Sequence, residues 1–118
     1  MAPAERGGRS PKNKGDAYER AVVRYLQERG IHVTRAKRGN PTGDVLGIDG
    51  LTIECKNQRS YDIAGWIKQM QTSKELSESR LGVVIVKRRG TTDVSQHYAI
   101  LTVEDLVSLL EEAGYVGF

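Results

Sequence analysis

The chain has few of the residues on which disulfide scaffolds, zinc sites and membrane spans depend. Of its 118 residues one is cysteine, Cys55, with no partner for an internal bridge and no CxxC neighbour. That count argues against both a disulfide framework and a cysteine-ligated zinc. The two histidines, His32 and His97, stand 65 positions apart without helical pairing and read as surface or edge-strand residues rather than as ligands. No apolar run approaches the roughly 18 residues of a membrane-crossing helix. The first residues lack the apolar core of a signal peptide, so a cytoplasmic protein is expected. There are no internal repeats, and the length suits one domain around a single core.

Net charge is low but unevenly spread. The formal balance is +3, and residues 1–14, with Arg6, Arg9, Lys12 and Lys14 against Glu5, account for all of it. This stretch holds Pro, Gly, Ser and Asn without apolar periodicity. It is expected to be a disordered basic tail, either an arm for nucleic-acid phosphates or a solubilising leader, with a single domain over residues 15–118. Between positions 20 and 40, Arg20, Arg24, Arg29, Arg35, Lys37 and Arg38 face only Glu28, whereas beyond Gly90 there are five acidic residues and no basic one. Such asymmetry suits a protein that lays one surface on DNA. Lys87-Arg88-Arg89-Gly90 forms a second basic cluster, equally readable as a charged turn that blunts a sheet edge.

Apolar periodicity predicts the element order α-β-β-β-α-β-β-α, an α/β fold with a mixed sheet of about five strands flanked by helices. A helix is expected over Asp16–Arg29, closed by Gly30, with Val22, Val23 and Leu26 on one stripe. Strands follow at Ile31–Arg35, Val45–Ile48 and Leu51–Cys55. A second helix over Asp62–Ser79 puts Ile63, Trp66, Ile67 and Met70 at core spacing, which makes Trp66 a packing residue. Leu81–Val86 reads as a buried strand and Tyr98–Leu101 as another. Thr102, with Asp105, caps a last helix through Leu110.

The most informative stretch is Gly43-Asp44 followed by Glu54-Cys55-Lys56, set across a hairpin signalled by Asp49-Gly50. A two-residue turn would pair Asp44 with Cys55. A three-residue loop, Ile48-Asp49-Gly50 with Gly50 left-handed, would place Asp44 opposite Glu54. The apolar pattern favours the second register, since it gathers Val45, Leu51, Ile53 and Cys55 on a core face and Asp44, Thr52, Glu54 and Lys56 on the other. Two carboxylates suit Mg²⁺ or Mn²⁺, which binds substrate phosphate directly and lowers the pKa of water. A lysine on that face can hold the nucleophile or offset charge on the phosphate. The alternative is a solvated outer face with chance charges. Glu19 shares the stripe of Val22, Val23 and Leu26, so it points toward the sheet. It is either a third acid near the site or part of a capping box with Asp16.

Lys14-Gly15, Glu19-Arg20, Arg35, Asp44 and Glu54-Cys55-Lys56 together resemble the archaeal Holliday junction resolvases, a branch of the restriction-endonuclease-like PD-(D/E)XK nucleases. The similarity runs from about Lys14 to Val86 and includes the sixteen-residue step from Glu19 to Arg35. The resemblance implies a restriction-endonuclease-like mixed sheet and a homodimer that makes two opposed cuts in a four-way DNA junction with Mg²⁺. It assigns Asp44 and Glu54, with the backbone carbonyl of Cys55, to the metal. Lys56 becomes the catalytic lysine and Glu19 an active-site acid acting on the metal or its hydration shell. Arg20 and Arg35 match basic residues that serve junction contact or catalysis, and beside the resemblance Lys37, Arg38 and Lys14 are read as further DNA contacts. The chain departs from the family in three places: Gly43 stands where the family name puts proline, the hairpin between Asp44 and Glu54 is short, and the loop Lys37–Thr42 lacks the usual small, serine-containing character. The other readings are a nuclease of the same fold acting on nicked, branched or duplex DNA, and a catalytically silent DNA-binding module. A compact stand-alone nuclease of this type also suits a bacteriophage.

Overall fold

The computed structural model of the protein describes residues 11–117, so the first ten residues of the tail expected over residues 1–14 lie outside them. Helix α1 runs Pro11–Glu28, five residues longer at its start than the sequence predicts. Proline is accommodated at a first helical position because its missing N–H would have had no intrahelical partner there. Lys14 therefore belongs to the helix and not to a tail, and Asp16 lies inside it, which removes the capping-box reading of Asp16 and Glu19. Gly30 ends the helix as expected: its N–H reaches the Gln27 carbonyl at 2.9 Å and the Ile31 N–H reaches that of Leu26 at 3.0 Å, the paired closure of a Schellman motif.

Strand β1 is only Thr34–Arg35, shorter than the expected Ile31–Arg35. The Ile31 amide is used by the helix end and the Val33 carbonyl accepts from Gln27 Nε2 at 2.9 Å, which leaves two residues for the sheet. Strands β2 (Val45–Leu46) and β3 (Leu51–Lys56) follow, then α2 (Ile63–Ser77), β4 (Leu81–Val86), a 3-10 turn at Val94–Gln96, β5 (Tyr98–Ile100) and α3 (Val103–Glu112). Asp62 caps α2 through its carboxylate to the Gly65 N–H at 3.0 Å, and Thr102 caps α3 through its hydroxyl to the Asp105 N–H at 3.1 Å.

The five strands form one sheet in the order β1-β2-β3-β4-β5. Only β3 and β4, joined through α2, are parallel; the other neighbours are antiparallel. The alternation of β3 and β4 sends residues to both faces, and both faces are covered. Ile53 and Cys55 pack with Tyr18, Val22 and Val23 of α1, while Val84 and Val86 pack with Trp66 and Met70 of α2. This buries β3 on both sides, so Thr52 and Glu54 are 1% and 4% exposed. The solvated-face reading of these residues is thereby ruled out.

The hairpin register is the predicted one. Val45 pairs with Ile53, and Asp44, just before β2, brings its side chain against that of Glu54. Its turn closes through the Leu51 N–H on the Ile48 carbonyl at 3.2 Å, with Gly50 at φ +80°, a left-handed position that glycine takes without steric cost.

Candidate active site

Three segments build the site: the bend just before β2 brings Asp44, β3 brings Glu54 and Lys56, and α1 brings Glu19. The strand connection places Asp44 firmly. Its N–H donates to the Ile53 carbonyl at 2.8 Å, its own carbonyl accepts from Ala36 at 2.9 Å, and its Oδ2 accepts from the Cys55 N–H at 2.8 Å. Gly43, just before it, has φ +120°, which a proline ring fixed near −65° cannot adopt. The departure from the proline of the family motif is thus a backbone requirement of this short hairpin.

Asp44 and Glu54 press on each other. Burial raises the Asp44 carboxyl from its ordinary 3.8 to about 6, and the neighbouring Glu54 charge adds to this against the opposing Cys55 N–H and Lys56 ammonium. Glu54 is buried, with Ser73 Oγ of α2 donating to its Oε2 at 2.6 Å. Lys56, at the strand end, donates from Nζ to Gln69 Oε1 at 2.6 Å. Gln69 and Ser73 are four apart on α2, so a single helical face holds the two functional residues that stand two apart on β3.

Glu19 faces the sheet as its stripe predicts, but its direct partner is Arg35, whose Nε lies 2.9 Å from Oε1. Arg35 also reaches Asp16 at 2.7 Å, and Arg38 pairs with that same Asp16. Burial raises the Glu19 pKa, with Arg35 opposing and the charge of Asp44 raising it further, so Glu19 lies within electrostatic reach of the carboxylate pair. The acids of α1 therefore partner two of the arginines that charge counting assigned to DNA. Arg20, Lys37 and Lys14 are exposed and form no ion pair among the described residues.

Cys55 is 8% exposed and burial pushes its thiol pKa up, which fits a core residue whose backbone, not sulfur, belongs to the site. Among the described residues no three side chains of His, Cys, Asp or Glu converge on one point, so the side-chain donor set is the Asp44–Glu54 pair. That set fits Mg²⁺, which is commonly held by one or two carboxylates while water and substrate phosphate complete its octahedron. The strain between two adjacent carboxylates is of the kind a divalent cation relieves.

Sequence reasoning missed Gln69, Ser73 and Asp105. Ser73 carried a signal, since Trp66, Met70, Ser73 and Ser77 share one stripe and two of the four are polar. Asp105, expected only at a cap, is 3% exposed. It accepts from the Gly82 N–H at 3.0 Å and from Lys74 Nζ at 2.9 Å, tying α3 to β4 and α2. No curated protein matches the chain. The family model described as archaeal Holliday junction resolvase (Hjc) matches residues 10–82, which takes in α1, the hairpin and α2.

Proposed function

Because the chain belongs to the archaeal Holliday junction resolvase family, a family of nucleases, we propose that it is a Mg²⁺-dependent endonuclease that cuts phosphodiester bonds in four-way DNA junctions, with Mn²⁺ as a substitute. The observation that carries this reading is the apposition of Asp44, just before β2, and Glu54 on β3, with Lys56 two residues on. A divalent cation held by such carboxylates would supply an activated water and polarise a phosphoryl oxygen. Asp44 and Glu54 would hold it, and because one is fixed by the Cys55 amide and the other by Ser73, neither must reorganise when substrate arrives. Lys56, aligned by Gln69, offsets charge developing on the phosphate. Glu19 and its partner Arg35 flank the pair, and the exposed cations Arg20, Lys37 and Lys14, with Arg38 beside them, contact the backbone of the DNA.

Two opposed cuts need two sites, and a homodimer supplies them. Val103, Leu106 and Val107 lie on one stripe of α3 and remain 76%, 42% and 43% exposed, an apolar face that a second copy of the chain would cover.

The deciding assay compares a four-way junction with linear duplex of matched sequence, each with Mg²⁺ or EDTA. Junction cleavage only with Mg²⁺, abolished in Lys56→Ala with binding retained, is the expected result. Equal cutting of both substrates removes the junction claim, and tight binding without cutting indicates a silent module.

A further inference from the structure

On the α1 side of the sheet, where β3 and β4 end, a cavity of about 270 Å³ opens. Lys14, Lys87 and Arg89 line it together with Tyr18, Asn57 and His97, and no carboxylate is among the lining residues. None of the three cations forms an ion pair among the described residues. Three positive groups around one half-open cavity without a counter-charge favour an anion there, although Lys14 and Arg89 are exposed and water screens each attraction.

Asn57 lines the same cavity. Its Oδ1 is the only buried side-chain polar atom without a hydrogen-bond partner among the described residues. An orphaned acceptor calls for a donor, which a water in the cavity can supply while its second hydrogen faces an anion. The cavity floor is fixed. Tyr18 Oη meets His97 Nδ1 at 2.8 Å and His97 Nε2 lies 2.9 Å from the Thr91 carbonyl. That carbonyl can only accept, so Nε2 carries the hydrogen. The histidine therefore pins the loop that carries Arg89 against α1.

The position is informative because two of the lining residues neighbour site residues in sequence: Asn57 follows Lys56, and Tyr18 precedes Glu19. We propose that this cavity is an anion subsite for a backbone phosphate of the DNA, adjacent to the phosphodiester that is cut. The inference rests on the nuclease reading for its choice of anion. Its contribution is to affinity and register, as phosphate contacts position nucleic acid without reading sequence.

The neighbouring Arg88 offers a control of equal charge. Its guanidinium lies over the Tyr98 ring, 5.9 Å from the centroid, and it does not line the cavity. Binding of the full chain to a four-way junction is measured by anisotropy in EDTA across a salt series. Arg89→Ala should flatten the slope of log affinity against log salt by about 1 and weaken binding about 10-fold near 0.1 M salt. Arg88→Ala should stay within about twofold of the parent, since loss of a charge outside the contact releases no counterion. Equal effects of the two variants, or no effect of Arg89→Ala, overturn the subsite. Because no cleavage is involved, a parent that binds but does not cut refutes the nuclease reading alone. A parent that cuts while the two variants match refutes the subsite alone.

Discussion

Asp44→Asn should make the metal-free protein more stable while it abolishes cleavage. The Asp44 carboxyl is raised from 3.8 to about 6, so the folded state holds its proton more tightly than the unfolded chain does. The stability associated with that proton is fully present below the ordinary carboxylate value and is lost as pH rises through about 6. A difference between 3.8 and about 6 corresponds to about 3 kcal/mol. Asp44 is only half-buried, so solvent screening reduces this to about 2 kcal/mol. Asparagine keeps an acceptor for the Cys55 N–H, held at 2.8 Å from Asp44 Oδ2, and turns an amide donor toward Glu54, so the exchange leaves no new unpaired group.

Urea unfolding in EDTA, followed by the fluorescence of the single, buried Trp66, measures this directly. The variant and the parent should be nearly equal below the ordinary carboxylate pKa and diverge with rising pH. Above neutral pH the variant should gain about 2 kcal/mol, a midpoint shift of about 1 M urea. Added Mg²⁺ should then stabilise the parent and not the variant, because a ligand that binds only the folded state adds stability by mass action. A variant less stable than the parent at pH 7, or a gap that does not change with pH, refutes the reasoning.

Asp105→Ala should cost about 2–4 kcal/mol in the same urea assay, since it strands the Gly82 N–H and leaves Lys74 half-buried without its counter-charge. Asp at both Leu106 and Val107 should halve the mass seen by light scattering while leaving the circular dichroism spectrum intact, because both residues are more than two-fifths exposed in the single chain. An unchanged mass that remains dimeric would place the interface elsewhere.

The hairpin and its carboxylates were legible in the sequence because they depend on local rules. Alternation along Leu51–Lys56 fixes which residues share a face, and Asp49-Gly50 admits only a few loop lengths, so Asp44 opposite Glu54 followed from pattern alone. The start of α1 was not legible. Pro11 and Gly15 resemble coil by composition, and only packing of the helix on the sheet overrides that preference. Nor could charge counting see that Arg35 and Arg38 turn back to Asp16 and Glu19, because those pairs join a helix to β1 and the loop after it, sixteen or more positions away.

The α2 face shows why the supporting residues were harder to find than the site itself. Covering Glu54 with a helix requires that helix to carry hydrogen-bond donors where its stripe would otherwise be apolar, since a buried carboxylate without a partner is strongly destabilising. Trp66 and Met70 serve the apolar half against Val84 and Val86. Ser73 meets Glu54 at 2.6 Å and Ser77 meets Thr52 at 2.7 Å in the polar half. A serine in an apolar stripe is ambiguous in sequence, because the same residue on a slightly rotated helix would face water. Its meaning is set by which strand lies beneath it, and that is a property of the fold rather than of the helix.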